Sequence, residues 1–164
     1  GKLVELVGFG EENDVISEKM HRLAVAVIAA EGFQSVIHTL NFHLRDDFAI
    51  PLFALRLWQE PENAGELPEF VGIDETLRTF TETLAQPYCG STSGFETASW
   101  FGAAAQQARS QALIALRQGG DTIGLMALGS EEPQRFYSGM GTLYLQRLGE
   151  MAAAALARVS SLLA

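Results

Sequence analysis

Apolar residues recur at alternating steps of three and four at both ends of this chain, and that spacing limits the fold most, because only a helix gathers such positions into one stripe. Near the N-terminus Leu6, Asn13, Met20 and Val27 stand seven apart, and Phe9, Ile16, Leu23 and Ala30 form a second series three residues on. Together they make the a and d seam of a coiled coil or a tight helix pair. Asn13 takes an a position. A buried amide there lowers stability but pairs with its own copy in a parallel dimer and so fixes register. The other reading is an amphipathic helix lying on its own domain, with Asn13 at a wet edge. At the C-terminus, with Ser138 as the expected N-cap, Leu145, Leu148, Ala152, Ala155, Val159 and Leu162 repeat the spacing. The alanines of Met151–Ala157 favour helix and let another helix approach closely. Two such helices per chain, doubled, suit a four-helix homodimer interface. Its contacts would be Leu6, Asn13, Ile16, Met20, Leu23 and Val27 from the first, and Leu148, Ala152, Ala155 and Val159 from the second. A seam that starts at Lys2 implies a native chain continuing N-terminally.

Between the helical ends the period changes. Glu31-Gly32 breaks the first helix, and Phe33, Val36, Ile37, Leu40 and Leu44 continue at helical spacing to Arg45-Asp46-Asp47. From Phe48 to Trp58 the pattern is that of a strand, with Phe53, Leu55 and Leu57 on one face and Leu52, Ala54, Arg56 and Trp58 on the other. Gln59 to Pro68 reads as a loop, and six acids with no base lie from Glu60 to Glu75. Phe70 to Ile73 suggests a short strand, followed by a helix capped by Asp74 and carrying Leu77, Phe80 and Leu84. Gln86–Gly94 is turn chemistry, and Ser93 with Glu96 has the spacing of a capping box for a helix through Trp100 and Phe101. A hairpin follows, Ala112–Arg117 and Thr122–Gly129 about a Gln118-Gly119-Gly120-Asp121 turn. This order gives three parts, 1–31 as a coiled-coil-type helix, 32–139 as the core and 140–164 as a helix packing on the first. The class is α+β, an antiparallel sheet with helices on both faces.

Charge narrows the function. Eleven basic residues against twenty acidic give a net charge of −9, and lysine occurs only at Lys2 and Lys19. The body of the chain therefore lacks the ammonium of a P-loop, of a kinase or of Schiff-base chemistry. The acidic balance disfavours nucleic acid. Cys89 is the single cysteine, so no internal disulfide or multi-cysteine zinc site can form, which fits a reducing, cytoplasmic setting. No charge-free apolar run approaches the ~20 residues that span a bilayer, and no secretory signal pattern opens the chain. His38 and His43 stand five apart, about 140° around a helix, so they do not share a face as metal ligands. No nucleophile–base pair can be assembled around Ser91, Thr92 or Ser93.

The end of the core carries a resemblance. Thr122–Ser130, then Glu132-Pro133 leading to Phe136, then a long helix from Met140 look like the close of a GAF domain. Glu12-Asn13-Asp14, Phe48–Trp58, Pro87-Tyr88-Cys89-Gly90 and Met140-Gly141-Thr142 together resemble a family of bacterial GAF-like proteins of unknown function, over nearly the whole chain. That resemblance implies a profilin-like or PAS-like sheet, one face meeting the terminal helices and the other lining a ligand pocket. Three GAF specialisations do not match. The cyclic-nucleotide motif needs a lysine, bilin attachment usually needs histidine after the cysteine where Gly90 stands, and the methionine-sulfoxide reductases use several cysteines.

On this reading Arg56 and Trp58 look into the pocket, where a guanidinium holds a carboxylate or phosphate and an indole stacks a planar ring. The competing role for Arg56 is an ion pair with Asp47 or Glu60 at the sheet edge. Tyr88, Cys89 and Trp100 complete the expected ligand set, Cys89 as a ligand contact, an oxidation sensor or a packing residue. The sequence thus implies a non-catalytic sensory or regulatory module with no cofactor or metal, binding a small anionic or planar ligand and dimerising through its terminal helices. The alternative is a purely structural homodimerisation module.

Overall fold

A computed structural model describes the backbone at residues 2–59 and 67–163 and the side chains at 13–59 and 67–160. The elements run α1 (Lys2–Ala29), α2 (Phe33–Asp46), β1 (Leu52–Leu57), a 3-10 turn (Pro68–Phe70), α3 (Glu75–Glu82), β2 (Tyr88–Ser91), a 3-10 segment (Glu96–Gln107), β3 (Ser110–Gln118), β4 (Asp121–Ser130) and α4 (Leu143–Leu163). All pairings are antiparallel and the strand order is β1-β4-β3-β2. The hairpin turns at Gly119-Gly120, both at positive φ (60° and 88°), which matches the turn type that suits the twist of the flanking strands. No helix among the described residues is long and apolar enough to cross a membrane.

The alternation in β1 divides the molecule into two layers. Leu55 and Leu57 join Ile114, Leu116, Met126 and Leu128 on the face covered by α2 and α4, with α1 packed on those two helices. The opposite face carries Leu113, Leu125 and Ala127 under Leu77, Phe80 and Leu84 around α3 and Phe95, Trp100 and Phe101 in and beside the 3-10 segment, which a kink at Gly102 (φ 63°) divides into two short turns. This is the antiparallel sheet with helices on both faces that the residue pattern implies.

The terminal stripes are used within one chain. Leu23 and Val27 of α1 and Leu148, Ala152, Ala155 and Val159 of α4 are buried in one cluster that α2 shares. These six were expected at a subunit interface; instead each fills the chain's own core, because the same 3/4 stripe satisfies an intramolecular helix packing. Ile16 and Met20 are half-buried and Asn13 is exposed, while the side chains of Leu6, Phe9 and Leu162 lie outside the described residues. Arg158 of α4 ties the two ends together, its Nη2 donating to Val27 O (3.0 Å) and Ala30 O (3.1 Å) where α1 leaves carbonyls unsatisfied.

Four local expectations change. The strand begins at Leu52 rather than Phe48, because Pro51 has no N–H to donate and Ala49 takes a left-handed φ of 54°. Phe70–Ile73 is no strand; Val71 N returns to Pro68 O (3.3 Å) in a 3-10 turn. Tyr88–Ser91, expected as a turn, pairs with Ser110–Leu113 as edge strand β2. Neither Ser93 nor Ser138 caps a helix. Phe95 occupies the N-cap position of the 3-10 segment without a side-chain bond, and the first bond reaching into α4 runs from Gln146 N to Thr142 O (2.9 Å). Asp74 does cap α3, accepting from Leu77 N at 2.8 Å.

Candidate functional site

β1 is an edge strand, so its free side is open to side chains that bend over the margin of the sheet. Arg56 leaves the sheet there. Its Nε donates to Val71 O (3.0 Å) and its Nη1 to Leu55 O (2.9 Å), and its guanidinium lies 4.6 Å from the centre of the Trp100 ring. Two carbonyls and an aromatic face thus hold the cation in place, and Nη2, which has no protein acceptor among the described residues, remains to donate to an oxyanion.

Arg56 and Trp100 form one wall of a groove of about 360 Å³ that wraps the β1 edge. The facing wall is α2, which contributes Gln34, Ile37, His38 and Asn41, and the 3-10 turn adds Glu69. Burial pulls the Arg56 guanidinium below its ordinary value and pushes the Glu69 carboxyl above the usual carboxylate range, each partly countered by the other's charge. The ion pairs among the described residues join Arg22, Glu18, His43 and Asp47, and none joins Arg56 to Glu69. Asp47 is taken by Arg22 (3.5 Å) and His43 (3.2 Å), and Glu60 lies outside the described residues.

The five residues expected around one pocket occupy three places. Arg56 and Trp100 meet. Trp58 is on the same face but lies under the Arg78 guanidinium at 5.4 Å, whose Nη2 reaches Trp58 O (3.4 Å). Tyr88 and Cys89 stand on β2, at the far edge of the sheet from β1. Tyr88 packs on Phe95 with ring centres 4.8 Å apart and donates its hydroxyl to Ser91 O (3.1 Å). Cys89 points to the other face, into the core with α4, and burial pushes its thiol up to about 11. The expected collection fails because β2 pairs with β3, not β1, and because neighbours on a strand point to opposite faces.

The α2 wall and Glu69 went unread in the sequence. A signal was present: Gln34, His38 and Asn41 stand at i, i+4 and i+7, a polar line beside the apolar stripe of α2. Glu69 carried none, since one acid among six in a Pro- and Gly-rich stretch has no distinguishing spacing.

A second cavity of about 190 Å³ lies where β2 stops short of the end of β3, between Ala85–Pro87 and Gln146–Glu150. Arg117 stands in its wall, donating to Leu84 O (2.8 Å) and Thr81 O (3.2 Å) at the end of α3, so its cation already serves as a helix cap.

Comparison with known proteins agrees with this architecture. A family model described as a protein of unknown function, DUF484, matches residues 2–161. The chain belongs to this family. No curated protein matches the DUF484 chain by sequence. Among solved structures it is similar to the free methionine-R-sulfoxide reductase of Neisseria meningitidis in complex with its substrate, at 12% identity and a TM-score of 0.60, over 90% of this chain and 91% of that one. At that identity the likeness shows the fold alone, and the fold is GAF-like.

Proposed function

We propose that this DUF484 chain is a non-catalytic regulatory module that binds a small anionic or planar ligand in the Arg56–Trp100 groove and dimerises through the outer part of α1. The observation that carries the reading is the Arg56 guanidinium, held by two backbone carbonyls on the face of Trp100 at the mouth of a polar groove. The one cysteine supports a role without thiol chemistry, since a buried thiol pushed up to about 11 is a poor nucleophile near neutral pH. The outer part of α1 supports dimerisation, because Ile16 and Met20 are only half-buried while Asn13 and Val15 are exposed. Native mass spectrometry of freshly purified protein tests both halves. A dimer carrying an adduct that denaturation releases, and that Arg56→Gln loses, is the expected result. The bare chain mass under gentle and denaturing conditions alike would overturn the ligand reading, and a monomer would overturn the dimer.

One observation favours a second reading, a structural module without a ligand. The sheet face that a GAF-like fold offers to a ligand is filled by the chain's own Trp58, Phe80, Tyr88, Phe95 and Phe101. In that case neither the wild-type chain nor Arg56→Gln carries an adduct that denaturation releases.

A further inference from the structure

The groove brings one cation and one anion to the same small space without joining them. Arg56 is fixed toward Val71 O and Leu55 O through Nε and Nη1, which leaves Nη2 with no protein acceptor among the described residues. Glu69 lines the same groove from the 3-10 turn, and no ion pair links the two. Partly desolvated charges that are not paired with each other are costly, and each here bears on what can enter. A simple anion placed on Arg56 meets Glu69 as a like charge, and a simple cation placed on Glu69 meets Arg56. A molecule with both signs satisfies both walls.

Resting on the ligand-binding reading above, we infer that the groove takes a free α-amino acid, its carboxylate on Arg56 and its ammonium on Glu69. The volume, about 360 Å³, lies at the small end of the range for small-molecule sites. Gln34 and Asn41 offer amides that both donate and accept, and Ile37 and Phe53 offer apolar contact to the ligand's side chain. The two charges of a free amino acid sit on one carbon, whereas those of a peptide are separated by its length, so a peptide is the control that tests this pairing.

The test uses the whole chain. Each common L-α-amino acid is titrated by calorimetry. For any that binds, the N-acetyl derivative (carboxylate kept, cation removed) and the α-carboxamide (cation kept, carboxylate removed) follow. The expected result is a parent that binds at least about tenfold more tightly than either derivative. In Glu69→Gln the parent and its N-acetyl derivative should bind within about twofold of each other, and in Arg56→Gln the parent and its carboxamide should do the same. Glu69 is half-exposed, so its variant stays informative even if Arg56→Gln lowers stability. An N-acetyl derivative that binds the wild-type chain as well as its parent, with Arg56→Gln abolishing both, would overturn the zwitterion and leave the anion site standing. No binding by any amino acid overturns the inference; the native mass spectrum then separately decides the broader reading. A dipeptide that outcompetes its constituent amino acids also overturns it.

Discussion

Arg56 and Cys89 are charged or polarisable side chains on the two edge strands of the sheet, yet the face each takes and the neighbours it meets give them opposite fates. Arg56 stands on an edge strand, where two backbone carbonyls and the Trp100 ring receive it. Cys89 stands on the other edge strand but faces inward, only 8% exposed. Burial disfavours its thiolate and pushes the thiol up to about 11 from 9.0. At pH 8 the folded thiolate fraction is then roughly one in a thousand, against about one in ten for an unperturbed thiol. Iodoacetamide at pH 8 should therefore label the native chain at least about a hundredfold more slowly than the urea-unfolded chain; comparable rates would mean Cys89 is accessible and ionised. The sign for stability follows from the same shift. The folded chain holds the thiol proton more tightly, so this contribution is intact below pH 9.0 and declines as pH rises toward 11. Cys89→Ala should flatten the fall in urea midpoint across that window.

At the scale of elements, the close approach of α4 to the sheet depends on Gly149. A Cβ built there lies 2.5 Å from Ile114 Cγ2 on β3. Two effects compete in Gly149→Ala. Helix propensity favours alanine by about 1 kcal/mol, while overpacking against a buried β-branched side chain costs about 1–3 kcal/mol. Packing should win, lowering stability by about 1 kcal/mol in urea denaturation. Removing the obstructing methyl with Ile114→Ala should make the same glycine substitution less costly, as a double-mutant cycle would register. A raised midpoint for Gly149→Ala alone would show that α4 can shift outward. A similar relation joins α1 to α4. Arg158→Gln removes donors from Val27 O and Ala30 O and should cost about 0.5–1.5 kcal/mol, read as faster hydrogen exchange in the last turn of α1.

At the scale of the whole molecule, the apolar stripe of α1 changes its surroundings along its length. The inner part of α1, through Leu23 and Val27, is committed to the chain's own core. The outer part, with Asn13 exposed and Ile16 and Met20 half-buried, is the surface that the proposed dimer would use. Light scattering at micromolar protein should give twice the chain mass. Asn13→Leu should raise the dimer's thermal stability while admitting larger assemblies, because the amide that fixes strand number is gone. A monomer in the wild type, or identical assembly in the variant, would place Asn13 at a wet edge.

Period alone determined much of this architecture. The 3/4 stripes set the terminal helices, the alternation of Phe53, Leu55 and Leu57 set the buried face of β1, and Gly119-Gly120 set the hairpin turn, because each pattern is a local consequence of side-chain geometry. Tertiary structure decided the rest. Tyr88–Ser91 became a strand because β3 offered it a ladder, which overrode the turn-forming character of Gly90 and Ser91. Leu23, Val27, Leu148 and Val159 packed inward rather than on a partner because a stripe does not state which surface will cover it. The site went the same way. Arg56 could be singled out as a charge in an apolar strand, but the strand order β1-β4-β3-β2 separated it from Tyr88 and Cys89 and gave it Trp100, Glu69 and the polar line of α2 instead. Sequence fixes which face a side chain takes on its own element; only the packing of elements distant in sequence decides what that face meets.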